Sequence, residues 1–93
     1  MQLEIHGRAQ IQFRYLAKSD QKRVHSALAE LTAAEPGLLF QNGNLESLRA
    51  GLTTKKMYAY RVSSELGLIL SLEGDKCTVE DILNYDRILR AVS

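Results

Sequence analysis

Arg49, Lys55, Lys56 and Arg61 stand in a stretch of the chain that holds no acid, and further on the sequence reads Asn84-Tyr85-Asp86-Arg87. Cations can neutralise the charge that builds on a phosphoryl group, and a positioned tyrosine, carboxylate or lysine can take or give a proton. Phosphodiester cleavage needs little more than this, and it can proceed without a metal. The condition is that the chain folds so that these side chains meet on one surface.

The elements that must position them are modest in number. A 93-residue chain with one Pro, six Gly and 45% hydrophobic residues has the composition of one small globular domain, spanning 1–93. A domain of this size buries roughly 60–65% of its unfolded surface, so the core is thin and a bound partner adds noticeably to stability. Twelve Lys plus Arg against eleven Asp plus Glu give a net charge of +1, too little to announce nucleic-acid binding by itself. The local distribution says more: residues 49–61 hold four cations and no acid, whereas residues 73–86 hold five acids and one lysine. Cys77 is the only cysteine, which excludes an internal disulfide and a multi-cysteine zinc site and fits a reducing cytoplasm. The first residues, with Glu4, His6 and Arg8, lack an apolar signal core, and no run reaches transmembrane length.

Leu3 and Ile5 alternate with polar residues, predicting a short first strand. Ala9, Phe13 and Leu16, then Val24, Leu28 and Leu31, recur at helical spacing and predict two helices that meet at Ser19 or Asp20, either of which can cap the second. Pro36-Gly37 ends the pair, and Gln41-Asn42-Gly43-Asn44 reads as a turn-rich connector, followed by a loop anchored by Leu45 and Leu48. Met57 to Val62, Leu66 to Leu72 and Lys76 to Leu83, separated by Ser63-Ser64-Glu65 and Glu73-Gly74-Asp75, predict a meander of three antiparallel strands. Leu66, Leu68, Leu70 and Leu72 share one face, which must be buried. The expected architecture is α+β: two N-terminal helices packed on a twisted antiparallel sheet, in the order β-α-α-β-β-β, with a short terminal helix over Asp86 to Val92.

This order resembles the RelE/ParE superfamily of bacterial toxins from type II toxin-antitoxin pairs, over essentially the whole chain. "AQIQFRYLAKSDQKRVHSALAEL" is similar to the family's helical hairpin, "NLESLRAG" to its connector and "KKMYAYRVSSELGLILSLEGDKCTVEDILNYDRI" to its sheet. In the ribonuclease branch the resemblance implies a protein that enters the ribosomal A site and cleaves mRNA through the RNA's own 2'-hydroxyl, without metal or other cofactor. It also implies a cognate antitoxin as partner, operator DNA reached only through the antitoxin complex, and no membrane.

On that resemblance Lys55 and Lys56 occupy the place of lysines that contact phosphate or help proton transfer; the plainer alternative is a solvated strand start that protects a sheet edge. Arg61, in mid-strand, must reach solvent, a phosphate or an acid, with Glu80 and Asp81 as internal competitors. Tyr85 could stack on a base and Arg87 could stabilise or protonate the leaving oxygen, with Asp86 between them; alternatively the three cap the terminal helix. Tyr58 and Tyr60 share a strand face that is either core or a stacking platform. His6, His25 and Cys77 form no ligand or triad pattern, and Cys77 reads as a small core residue. Gly67 departs from the family, which commonly has there an arginine that binds phosphate. Loss of that contact could cost roughly 10²–10³-fold in rate, by analogy with one oxyanion donor. The departure raises two alternatives, a ParE-like inhibitor that binds DNA gyrase without chemistry, or a toxin relative that keeps only antitoxin binding.

Overall fold

The computed structural model describes residues 2–33, 45–48 and 56–84. Its centre is the strand that the four alternating leucines form. Along the chain run β1 (Gln2–Ile5), α1 (Gly7–Arg14), α2 (Lys18–Ala33), β2 (Leu45–Leu48), β3 (Lys56–Arg61), β4 (Leu66–Glu73) and β5 (Lys76–Asn84). The strands make one five-stranded sheet in the order β1-β5-β4-β3-β2, so β4 lies in the middle. Leu66, Leu68 and Leu70 are buried with Tyr60, Cys77 and Val79 against Val24, Ala27 and Leu31 of α2 and Ala9 of α1. This is the α+β sandwich expected from the alternation.

Two features of the sheet differ from the expectation. Leu45–Leu48, expected as a loop, is a strand that pairs antiparallel with β3, from Leu45 opposite Tyr60 to Leu48 opposite Met57. Four residues of mixed polarity carry no periodic signal, yet pairing them satisfies backbone groups along the outer side of β3 that would otherwise stay open. The other difference is β1, which joins β5 in parallel, making the sheet mixed rather than antiparallel. A parallel neighbour needs a long connection, and everything between the two strands supplies it.

The helix boundary also lies earlier than expected. α1 stops at Arg14, where the Tyr15 N–H donates to the Gln12 carbonyl and the Leu16 N–H to the Phe13 carbonyl, both at 3.2 Å. Gln21 N–H donates to the Ala17 carbonyl at 2.9 Å, which starts α2 at Lys18 and places Ser19 and Asp20 inside its first turn rather than at its cap. Asp20 still favours that helix end and pairs with Arg23 at 3.1 Å. The β4–β5 connection is the two residues Gly74 and Asp75, since Glu73 pairs with Lys76. Only Gly74 takes a positive φ, 60°, the signature of a type II′ turn with glycine first. The expected terminal helix of Asp86 to Val92, the Pro36-Gly37 stop and the Gln41–Asn44 turn lie outside the described residues.

β1 is shorter than β5, and α1 takes over where β1 ends. The last strand bond on this side runs from His6 N–H to the Val79 carbonyl at 2.9 Å. His6 then caps α1, its Nδ1 accepting from Arg8 N–H at 3.2 Å. Further along, Gln12 Oε1 accepts from the backbone N–H of Ile82 at 2.8 Å, standing in for the missing strand. Gln12 Nε2 donates to Asp81 Oδ1 at 3.1 Å, and Arg8 grips the same carboxylate through Nε and Nη2 at 2.8 and 2.9 Å. The edge of β5 is therefore closed as far as Ile82, by a strand and then by side chains of a helix.

Candidate functional site

Strand alternation divides the sheet into a face under the helices and the opposite face. Tyr58 and Tyr60 belong to the first: both are buried, and the Tyr60 hydroxyl donates to Glu30 Oε2 at 2.9 Å. They are core residues, not a stacking platform. Met57, Ala59 and Arg61 belong to the opposite face, and Arg61 is exposed at the end of β3. In register across the sheet Arg61 lies opposite Gly67 of β4, which lies opposite Leu83 of β5. Beside this row Ala59 is fully buried against Ile69 and Leu83. The side of the sheet next to Arg61 is therefore apolar and buried.

The acids that competed for Arg61 hold other groups. Asp81 carries Arg8 and Gln12, and Glu80 Oε1 accepts from Ser71 Oγ at 2.8 Å. A register shift in β5, between the partners of Ile69 and Leu70, separates these two acids. Beyond it this side of the sheet becomes acidic: Glu4, Glu73 and Glu80, with His6 and Lys76, line a polar hollow of about 320 Å³. Lys76 is engaged there by Glu4 at 3.1 Å. An RNA backbone would be repelled at this end and tolerated at the Arg61 end.

Lys56 opens β3 and is exposed, but alternation sends its side chain to the same side as Tyr58 and Tyr60. Five residues at roughly 3.3 Å each also put it about 16 Å along the strand from Arg61. Lys56 and Arg61 thus do not share a pocket. Lys55, Tyr85, Asp86 and Arg87 lie outside the described residues, as does Arg49. β5 ends at Asn84, opposite Leu66 and one step from the Arg61–Gly67–Leu83 row, and Tyr85 is the next residue of the chain.

The sequence reading passed over Lys22 and Arg23. They line a groove of about 340 Å³ with Ser26, Glu30, Tyr60 and Arg61, bringing cations of α2 beside the end of β3. Lys22, Ser26 and Glu30 recur every four residues, away from the buried Val24, Ala27 and Leu31, so the helical period carried the signal. Cys77 is fully buried, and burial pushes its thiol up to about 11, which leaves no thiolate for nucleophilic chemistry. Among the described residues no group of three or more His, Cys, Asp or Glu could hold a metal ion, and no helix is long and apolar enough to cross a membrane.

No protein-family model and no curated protein sequence matches the chain. Solved structures do match. RelE of the archaeal RelE-RelB complex from Pyrococcus horikoshii OT3 superposes with a TM-score of 0.71 at 15% identity, covering 92% of this chain and 96% of that one. The YoeB dimer from Staphylococcus aureus gives 0.60 at 18% identity, over 89% and 94%. The E. coli DinJ-YafQ complex gives 0.54 at 15% identity, over 92% and 94%. Over 89–92% of its length, this chain has the fold of the RelE, YoeB and YafQ toxins.

Proposed function

We propose that the chain is the RelE-like toxin of a type II toxin-antitoxin pair and that it cleaves ribosome-bound mRNA in the cytoplasm. The observation that carries this reading is Arg61, exposed on the sheet face away from the helices, one step from the Asn84 end of β5, within a fold shared over 92% of the chain with such a toxin. RNA supplies its own nucleophile. The 2'-oxygen attacks the adjacent phosphorus and gives up its proton to a base, the bond to the 5'-oxygen breaks, and that oxygen takes a proton from an acid. The products are a 2',3'-cyclic phosphate and a 5'-hydroxyl. Arg61 neutralises the phosphoryl oxygens, Tyr85 stacks on a base, Arg87 serves the leaving oxygen, and Lys55 and Asp86 supply the remaining proton-transfer and charge groups. Lys56 contributes to the approach of the ribosome rather than to the reacting centre, given its side of the strand. A cognate antitoxin neutralises the toxin and brings it to operator DNA.

RNA ends mapped after induction test this reading. Wild type is expected to give new ends on translated messages, and Arg61→Ala with Arg87→Ala to remove them. Unchanged cleavage in the double variant would remove both residues from the mechanism. A second reading, a ParE-like inhibitor that binds DNA gyrase and performs no chemistry, is favoured by Gly67, which leaves Arg61 without a neighbouring cation in its row. Supercoiling by gyrase, inhibited at stoichiometric toxin while programmed ribosomes leave mRNA intact, would establish it. A toxin relative that has lost activity would be silent in both assays and still bind the antitoxin.

A further inference from the structure

β1 hands over to α1 at a histidine, whereas the side chains that ordinarily accept at a helix start are those of serine, threonine, aspartate and asparagine. His6 does this with a ring nitrogen. Its backbone is extended, with φ −60° and ψ 146°, and Nδ1 accepts from Arg8 N–H at 3.2 Å. The first turn of α1 contains no acid that would share the task. An imidazole accepts at Nδ1 only while it is neutral, with its proton on Nε2. Once protonated it has two donors and no acceptor, and its charge then stands at the positive end of the helix. Histidine is the side chain that changes charge between about pH 5 and 8.

The cap adjoins the fastening of β5. Arg8, whose N–H the cap holds, clamps Asp81 through Nε and Nη2, and one turn later Gln12 holds both Asp81 Oδ1 and Ile82 N–H. Leu83 follows, in the row of Gly67 and Arg61. On its other side His6 lines the polar hollow together with Glu4 of β1, Glu73 of β4, and Lys76 and Glu80 of β5; Lys76 is engaged by Glu4. A charged ring that leaves the cap therefore has carboxylates to turn to in that hollow, whereas α1 presents it with Arg8. His25, the other histidine, lines a separate cleft with Ile5 and Arg14. We infer that His6 is a proton-operated latch: neutral, it caps α1 and keeps Arg8 and Gln12 on the end of β5; protonated, it gives up the cap for the acidic hollow and lets that end loosen. Cap and fastening are complete at neutral pH and weaken as pH falls through the histidine range. The latch works in the same way whatever the protein acts on.

Amide hydrogen exchange read by NMR on the full chain, corrected for intrinsic rates, tests the latch at about pH 7.5 and about pH 5.5. In wild type the Ile82 amide should lose at least threefold in protection at the lower pH, and the Arg8 amide shift should titrate together with the His6 ring. His6→Asn, whose Oδ1 accepts from the same branch point and does not titrate, should keep the neutral-pH protection at both values. His6→Ala should show the loosened Ile82 already at the higher pH, and His25→Gln should behave as wild type. Unchanged exchange at Leu68 and Leu70, in the central strand, certifies that each variant keeps its fold. An Arg8 amide that ignores the His6 titration overturns the inference. So does a loss of Ile82 protection in His6→Asn equal to that of wild type, which would assign the effect to the carboxylates, or a wild-type loss shared equally by Leu68, which would be global unfolding.

Discussion

At the scale of single residues, Gln12 is the side chain on which most depends for its size. Its amide accepts from the Ile82 N–H and donates to Asp81, at the edge that β1 does not reach. Gln12→Ala leaves the Ile82 N–H without its acceptor and removes one donor from a half-buried carboxylate, a loss of about 1–3 kcal/mol in urea unfolding. Gln12→Glu retains an acceptor for Ile82 but sets a second carboxylate against Asp81, so it should be little better. Cys77 gives a pH signature. Its folded value of about 11 lies above the ordinary 9.0, so between these values the native state binds the proton more tightly than the unfolded chain. Stability then falls as pH rises through that window, by roughly 2–3 kcal/mol in all for this one group. The measurement is the difference in unfolding free energy between wild type and Cys77→Ala from pH 8 to 11: the wild type should lose more with rising pH. Equal slopes would show that the thiol ionises freely in the fold.

At the scale of elements, the β4–β5 hairpin is where sequence and structure agree best, and the reason is physical. Alternating leucines define one face without ambiguity, and Gly74 supplies the positive φ that a two-residue turn of this hand requires. Gly74→Ala should therefore cost about 1 kcal/mol, read as a lower midpoint in urea with an unchanged slope. The elements that sequence left obscure are those whose pairing is decided by a distant partner. β2 became a strand because β3 offered an open edge, and β1 took a parallel neighbour because the helices carry the chain away before β5 is made. The break between α1 and α2 was misplaced for a related reason. Ser19 and Asp20 are good caps locally, but the apolar faces of the two helices fix the bend at 15–17, and Asp20 is left to act within the first turn. The candidate site was legible only in part. Arg61 could be assigned its strand face from alternation, while the α2 cations that join it, and the hold of Arg8 and Gln12 on Asp81, are set by packing between segments far apart in sequence.

At the scale of the whole molecule, charge is arranged rather than abundant. The chain carries a net charge of only +1, yet the sheet face away from the helices runs from Arg61, past the apolar Ala59, Ile69 and Leu83, to the acidic hollow around Glu73 and Glu80. Few phosphates can be neutralised on such a face, so binding to ribosomes should depend only weakly on salt, each phosphate contact adding about 0.7–0.9 to the slope of log affinity against log salt. Gly67 makes this a sharp test. It sits in register beside Arg61, so Gly67→Arg places a second guanidinium on the same face and in the same row. Ribosome co-sedimentation of the variant should show a slope steeper by roughly one, and Arg61→Ala a slope shallower by the same amount. If the missing phosphate contact is what limits the chemistry, cleavage of programmed mRNA should also rise, by roughly 10²–10³-fold. A steeper salt slope with no gain in cleavage would separate the two effects: the row would then bind backbone without acting on it, and the nuclease reading would give way to that of a toxin fold that works by occupancy alone.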